Sequence, residues 1–326
     1  MRGMPELTWR PSRPDDAPAI TETVNLGMRL AGVHEPVSED TIREEILGPH
    51  WDFERDTVVV ELDGRVVAFG GVMAPPPGGS SARAQGGSSA RAQGMVHPDF
   101  RGRGIGTDLL AWLLARTRSL HAESGASTSW TLRHGGYDGD PSGGELLASA
   151  GFAPSRYWFV MTRGVEPVPV IREVDGLRVA AFTPSYSKRL YDAHHAAFAD
   201  HWDHQDRGVE VFSAHVVDSK AFRPALSMLA IDEHDDVASY VVTFVEADPT
   251  LAMLALIGTR RNWRGRGVAT QLIGRALGAC RDAGVSTATL AVDSTSPTGA
   301  VEIYERLGFA VTSRATTYTI EIGASG

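Results

Sequence analysis

Two copies of one short pattern constrain this chain more than any other feature. Arg101-Gly102-Arg103-Gly104-Ile105-Gly106-Thr107 lies between an extended run and a long apolar-periodic one, and Arg264-Gly265-Arg266-Gly267-Val268-Ala269-Thr270 occupies the same setting in the second half. Glycines at a strand-to-helix turn permit left-handed backbone and close approach of a ligand, and the helix start that follows aims unpaired amides outward. Those amides and the helix dipole attract a diphosphate without many charged side chains. Neither copy ends in the Lys-Ser/Thr of a P-loop, and the first half lacks the strand-first opening and distant ribose carboxylate of a dinucleotide fingerprint.

The order of elements repeats around the two turns. The first half reads as a strand at Leu7–Arg10, two helices, a hairpin through Asp63-Gly64, a strand to Val96, a helix at 106–122, a strand at 128–132, a short helix at 145–150 and a strand near 157–161. Ser38 is the expected N-cap of the second helix. Pro167-Val168-Pro169 interrupts any continuing helix or central strand, which places a linker at 164–174 and domains at 1–165 and 174–326. The second half runs strand 177–182, helix 184–198, hairpin 226–245, strand 251–259, helix 268–283, strand 287–292, helix 298–307 and a last strand through Tyr318. A length of 326 residues suits two cores better than one. The octapeptide Gly78–Gln85 recurs as Gly86–Gln93, and this Gly/Ser-rich duplication reads as a lengthened surface loop whose second copy enters a strand.

Composition narrows the partners. With 42% hydrophobic and 22% charged residues the chain has the balance of a water-soluble globular protein. Its 31 basic and 40 acidic residues give a net charge of −9, which disfavours nucleic acid and suits a cationic acceptor. The N-terminus has no apolar core of secretory length, and no stretch reaches the about 20 apolar residues that span a bilayer, so a cytoplasmic location without membrane association is expected. The single cysteine, Cys280, lies in an apolar-periodic run and reads as a helix core residue. His201-Trp202-Asp203-His204, with His194 and His195 upstream, matches no zinc spacing, and no metal is expected.

Both Arg-Gly-Arg-Gly-x-Gly/Ala turns resemble the Arg/Gln-x-x-Gly-x-Gly/Ala pyrophosphate loop of the GNAT N-acetyltransferases. Ala300-Val301-Glu302-Ile303-Tyr304-Glu305-Arg306-Leu307-Gly308-Phe309 resembles that family's Ala-x-x-Leu-Tyr-x-x-x-Gly-Phe helix. The resemblance covers nearly the whole chain as two tandem modules. It implies an α/β fold in which each module is a mixed, mostly antiparallel sheet with splayed central parallel strands flanked by helices, and it implies acetyl-CoA, or another acyl-CoA, in the cleft between those strands. Pantetheine would then pair with Ile257-Gly258-Thr259, or with Met95-Val96 in the first module, and the diphosphate would meet residues 264–270 or 101–107.

The family's proton donor to the departing thiolate maps onto Tyr304, while Leu147 takes that place in the first module. Catalysis is therefore expected in the C-terminal module. Ser296 is expected to cap the last helix and face the cofactor, since Pro297 stands where the family often has Asn. The strand 251–259 contains no carboxylate to serve as base, which leaves Glu246, Asp248 or a water chain. Asp200 and Trp202 fall, by position, on the acceptor wall. Three readings stay open: acyl transfer to a small-molecule primary amine, transfer to a protein or peptide amine, and acyl-CoA binding without turnover. Oligomeric state is not legible.

Overall fold

A computed structural model describes residues 7–45, 52–75, 88–199, 208–296 and 299–323. In chain order the elements are β1 (Leu7–Arg10), α1 (Ala17–Leu30), α2 (Glu39–Glu45), α3 (Phe53–Asp56), β2 (Thr57–Leu62), β3 (Arg65–Met73), β4 (Ser89–Val96), α4 (Ile105–Ser124), β5 (Trp130–Tyr137), α5 (Pro141–Ser149) and β6 (Ala153–Gly164). They continue with β7 (Arg178–Ala181), α6 (Ser187–Phe198), α7 (Val209–Phe212), β8 (Met228–Ile231), β9 (Val237–Phe244), β10 (Leu251–Thr259), α8 (Val268–Asp282), β11 (Thr287–Asp293), α9 (Ala300–Arg306) and β12 (Ala310–Ile322). No helix among the described residues is long and apolar enough to cross a membrane.

Two compact units result. The first comprises Met1–Trp158 with Ser313–Gly326, and the second Phe159–Thr312. The sequence pattern assigns 1–165 and 174–326, so the two divisions differ at residues 159–165 and 313–326. The difference has a plain cause: Ala315–Ile322 of β12 form an unbroken antiparallel ladder with Tyr137–Trp130 of β5. Trp158 Nε1 also donates to Thr317 Oγ1 at 2.9 Å.

In the first unit the strands lie in the order β1-β2-β3-β4-β5-β12, antiparallel except where β4 meets β5. Asp63 and Gly64 turn the β2–β3 hairpin with φ of 51° and 79°, the left-handed pair that a two-residue hairpin needs. Ser38 Oγ accepts from Thr41 N at 3.1 Å, capping α2. On one sheet face Leu109, Leu110 and Leu113 of α4 pack with Ala90, Ala92 and Leu132. The other face carries Ile20 of α1 with Val59 and Phe69.

The second unit repeats the plan with the order β11-β10-β9-β8-β7, parallel only at β10–β11. The C-terminal part of β6 belongs to it, since Thr289 Oγ1 donates to the Met161 carbonyl. Leu272, Ile273, Ala276, Leu277 and Cys280 of α8 fill one core with Leu254 and Leu290. On the opposite face Leu190 and Ala193 of α6 meet Tyr240 and Val242. Cys280 is fully buried, and burial pushes its thiol up to about 11, so it is a core residue and not a nucleophile.

Candidate active sites

Each glycine-rich turn starts a long helix. Gly104 (φ 84°) and Gly267 (φ 83°) are the N-cap residues of α4 and α8, and Gly102 (φ 73°) and Gly265 (φ 74°) precede them in the same left-handed region. A Cβ added at any of the four would meet no atom within 4 Å, so glycine is required here by backbone conformation in front of open space. No side chain caps either helix. The first-turn amides, those of Ile105, Gly106 and Thr107 and of Val268, Ala269 and Thr270, form a donor set suited to a diphosphate.

The arginines of these turns have intramolecular partners. Arg264 donates to the carbonyls of Thr259 at 3.1 Å and Ala197 at 2.8 Å, tying the loop to β10 and α6. Its counterpart Arg101 pairs with Asp140 at 2.9 Å and approaches the Val96 carbonyl. Arg103 lies over Phe100 at 5.1 Å and Arg266 over Trp263 at 4.8 Å, a matched cation–π contact in both units.

Ahead of each turn the parallel strands separate. β4 and β5 are in register only from Ser89↔Thr131 to Arg91↔Arg133, and β10 and β11 only from Leu251↔Thr287 to Met253↔Thr289. Beyond those pairs all four strands continue, which opens a cleft leading to the glycine turn and leaves backbone groups of Met95-Val96 and Ile257-Gly258-Thr259 along its edge. In the second unit the register of β10 against β9 shifts between Leu254 and Leu256, a β-bulge that turns the strand, whereas β3 and β4 pair without interruption. The cleft of the first unit encloses about 350 Å³ and is lined by Met95, Val96, Gly102, Gly104, Gly106 and Thr107, together with His134 and Tyr137 of β5 and Leu147 of α5. Open backbone amides at one end and an apolar channel behind them fit an acyl-pantetheine with its diphosphate.

Tyr304, on α9, is 8% exposed and packs edge-to-face on Phe309 with ring centroids 6.2 Å apart. Burial pushes its phenol up to about 12, so it keeps its proton through the physiological range. Leu147, buried in the first unit, brings no proton to the corresponding place.

Ser296 does not cap α9. Gly299 occupies the N-cap with φ 67° and no side-chain cap, because the turn after β11 is held by Asp293: its carboxylate accepts from Thr295 N and Oγ1, both at 2.8 Å, and its carbonyl from Ser296 N at 3.0 Å. Asp248 Oδ1 accepts from Thr250 N and Oγ1, which holds its carboxyl below the ordinary range and marks it as a turn residue ahead of the paired end of β10. Pro297, Asp200, Trp202 and the His201–His204 segment lie outside the described residues. Sequence reasoning missed a polar pair behind the second cleft: Tyr240, fully buried on β9, has its Oη 2.8 Å from His194 Nδ1 of α6 and stands over Gly258. A lone glycine in the apolar run 251–259 was the available signal.

The family described as "Acetyltransferase (GNAT) domain" matches residues 201–319, and a second family of the same description matches residues 54–141. A mycothiol acetyltransferase of Streptomyces avermitilis is 30% identical over 66% of this chain and 67% of its own length. One from Mycolicibacterium vanbaalenii is 29% identical over 98% of this chain and 100% of its own. Among solved structures, a GCN5-related N-acetyltransferase from Sphaerobacter thermophilus superposes with a TM-score of 0.76 at 25% identity, covering 98% of this chain and 96% of that one. The chain belongs to the GNAT acetyltransferases and carries two such domains in tandem. It is an acetyl-CoA-dependent N-acetyltransferase.

Proposed function

We propose that the acceptor is a primary amine of a small molecule and that transfer takes place in the C-terminal domain, 174–326, while the N-terminal domain, 1–165, holds acyl-CoA without turning it over. The shared name of the curated relatives supports a small acceptor, such as the amine precursor of a small thiol. What carries the division of labour is the contrast between buried Tyr304 on α9 and buried Leu147 on α5.

When bound, acetyl-CoA supplies the thioester that the neutral amine attacks. The amides of Val268, Ala269 and Thr270 hold the diphosphate, Arg264 fixes the loop that presents them, and the edge of β10 at Ile257-Gly258-Thr259 aligns the pantetheine. In the first domain Ile105, Gly106 and Thr107, with Met95 and Val96, do the same. Alignment of this kind converts a bimolecular reaction into an effectively intramolecular one. Tyr304 Oη retains its proton and donates it as the thiolate departs. No carboxylate stands on β10, so the amine loses its proton to solvent or to a group outside that strand.

A thiol-release assay with acetyl-CoA, run over panels of small amines and of peptides, tests the acceptor class. Release that depends on a small amine is the expected result. Release with peptides alone would overturn the acceptor assignment, and none with any amine would leave an acyl-CoA-binding protein.

A further inference from the structure

The first unit presents a cluster of nitrogen donors on the sheet face opposite α4. Ala90 and Ala92 of β4 and Leu132 of β5 pack with α4, so by strand alternation Arg91, Gln93, Arg133 and Tyr137 occupy the other face. Met95, next in that row, packs into the core that contains Ile20 of α1. Arg91 and Arg133 oppose each other in the last registered pair before the strands part. Arg91 is exposed and has no ion-pair partner among the described residues. The Nε2 of Gln93 is buried and makes no hydrogen bond there. Such a donor costs about 1–3 kcal/mol when left unsatisfied, so this amide calls for a partner, which a ligand oxygen or a water supplies.

The surroundings are cationic. Burial, and then the neighbouring charge of Arg156, bring the Arg133 guanidinium down to about 10. Burial lowers His134 and raises Tyr137; the positive charge of Arg91 reaches both rings, acting downward at His134 with burial and at Tyr137 against burial and Glu35. Gly94, next to Gln93, and Tyr137, four residues beyond Arg133, line the acyl-CoA cleft, and the strands that bound it part just after Arg91↔Arg133, so this face borders its inner end.

We infer that this face binds a carboxylate at the inner end of the first unit's cleft, gripped by the guanidinium fork of Arg91 and the amide of Gln93 with Arg133 behind them. A planar guanidinium matches a carboxylate in a way that an ammonium does not. The site rests on the reading that the first domain holds acyl-CoA, and the carboxylate belongs either to the acyl chain of a dicarboxylic acyl-CoA or to a separate small molecule.

Calorimetry on the full chain with acetyl-CoA, succinyl-CoA and succinate decides among these. If the acyl chain carries the carboxylate, succinyl-CoA binds the first unit about tenfold or more tightly than acetyl-CoA, and Arg91→Gln and Gln93→Leu each erase the preference. If it comes separately, the two thioesters bind alike and succinate binds saturably to the acetyl-CoA-loaded protein, with the same two variants abolishing it. Gln93→Leu should leave the unfolding midpoint unchanged or raised, which a purely structural glutamine would not. No succinyl preference together with no succinate binding, or effects that survive both variants, overturns the inference. Should Gly104→Val leave CoA stoichiometry intact, the acyl-CoA reading of the first domain fails, and Arg91-dependent binding of succinate alone still decides the carboxylate site.

Discussion

The hydroxyl of Tyr240 occupies the place where a Cβ on Gly258 would stand. The two residues oppose each other in the β9–β10 register, and the same hydroxyl meets His194 Nδ1 at 2.8 Å. A phenol this deeply buried stays protonated, since burial raises it well above its ordinary value, and it shares its hydrogen bond with the His194 ring. Gly258 is therefore fixed by a neighbour on its own sheet as well as by its position along the cleft.

Gly258→Ala should destabilise the second unit by about 1–3 kcal/mol, the usual penalty for overpacking a core. Its combination with Tyr240→Val should be less destabilising than the two single changes added together, because the clash disappears with the ring. Denaturant unfolding of the four proteins measures the coupling. Strict additivity would show that the ring and the glycine do not compete for space.

Coenzyme affinity in the second unit should depend on the backbone of its turn more than on the side chain of Arg266. Valine at position 267 must adopt φ near 83°, a region closed to β-branched residues, so Gly267→Val should remove one equivalent of CoA by calorimetry. Arg266→Ala loses a stack on Trp263 and should weaken binding only slightly. Gly104→Val should remove the other equivalent while leaving most of the turnover. Equal loss of turnover in both valine variants, with both folded, would contradict the division between domains.

Much of this was legible because local chemistry dictated it. The glycines at 102, 104, 265 and 267 announce left-handed backbone, Asp63-Gly64 announces a hairpin, and the run Leu251–Thr259 coincides with β10. Partners were not legible. The alternating residues of Ala310–Ile322 specify a strand without naming its neighbour, and so conceal that Ala315–Ile322 ladder with β5 of the first unit. The bulge after Leu254 falls in a uniformly apolar run where a change of face leaves no mark. Ser296 resembled a cap because serine often is one, yet Gly299 adopts the required turn nearer the helix. The Arg91–Gln93 face was hidden inside an octapeptide repeat that reads as loop filler.

Cys280 should be inert in the folded protein. Its thiol is pushed up to about 11, so well below that pH it stays protonated, and it is also fully enclosed. A thiol-directed reagent at mild pH should label it only when α8 opens, at a rate that rises with denaturant. Rapid stoichiometric labelling of the native protein would place the thiol at the surface.

Tyr304→Phe separates chemistry from packing. The ring packs on Phe309 within the core around α8 and the Phe variant keeps that apolar area, so its unfolding midpoint should move little. The hydroxyl alone is lost. General-acid assistance contributes about 100- to 10,000-fold, and kcat should fall within that range while the Kd for acetyl-CoA stays close to normal. The pH dependence has a definite sign: Tyr304 acts in its protonated form, its phenol titrates near 12, and its contribution is therefore present at neutral pH and lost only as the pH rises toward that value. An alkaline fall in kcat near pH 8 or 9 must then arise from another group and should persist in the Phe variant. Where product release limits the normal enzyme, a single-turnover measurement exposes the chemical step. A Phe variant with a normal single-turnover rate would reduce Tyr304 to a packing residue and remove the main reason for placing transfer in the C-terminal domain.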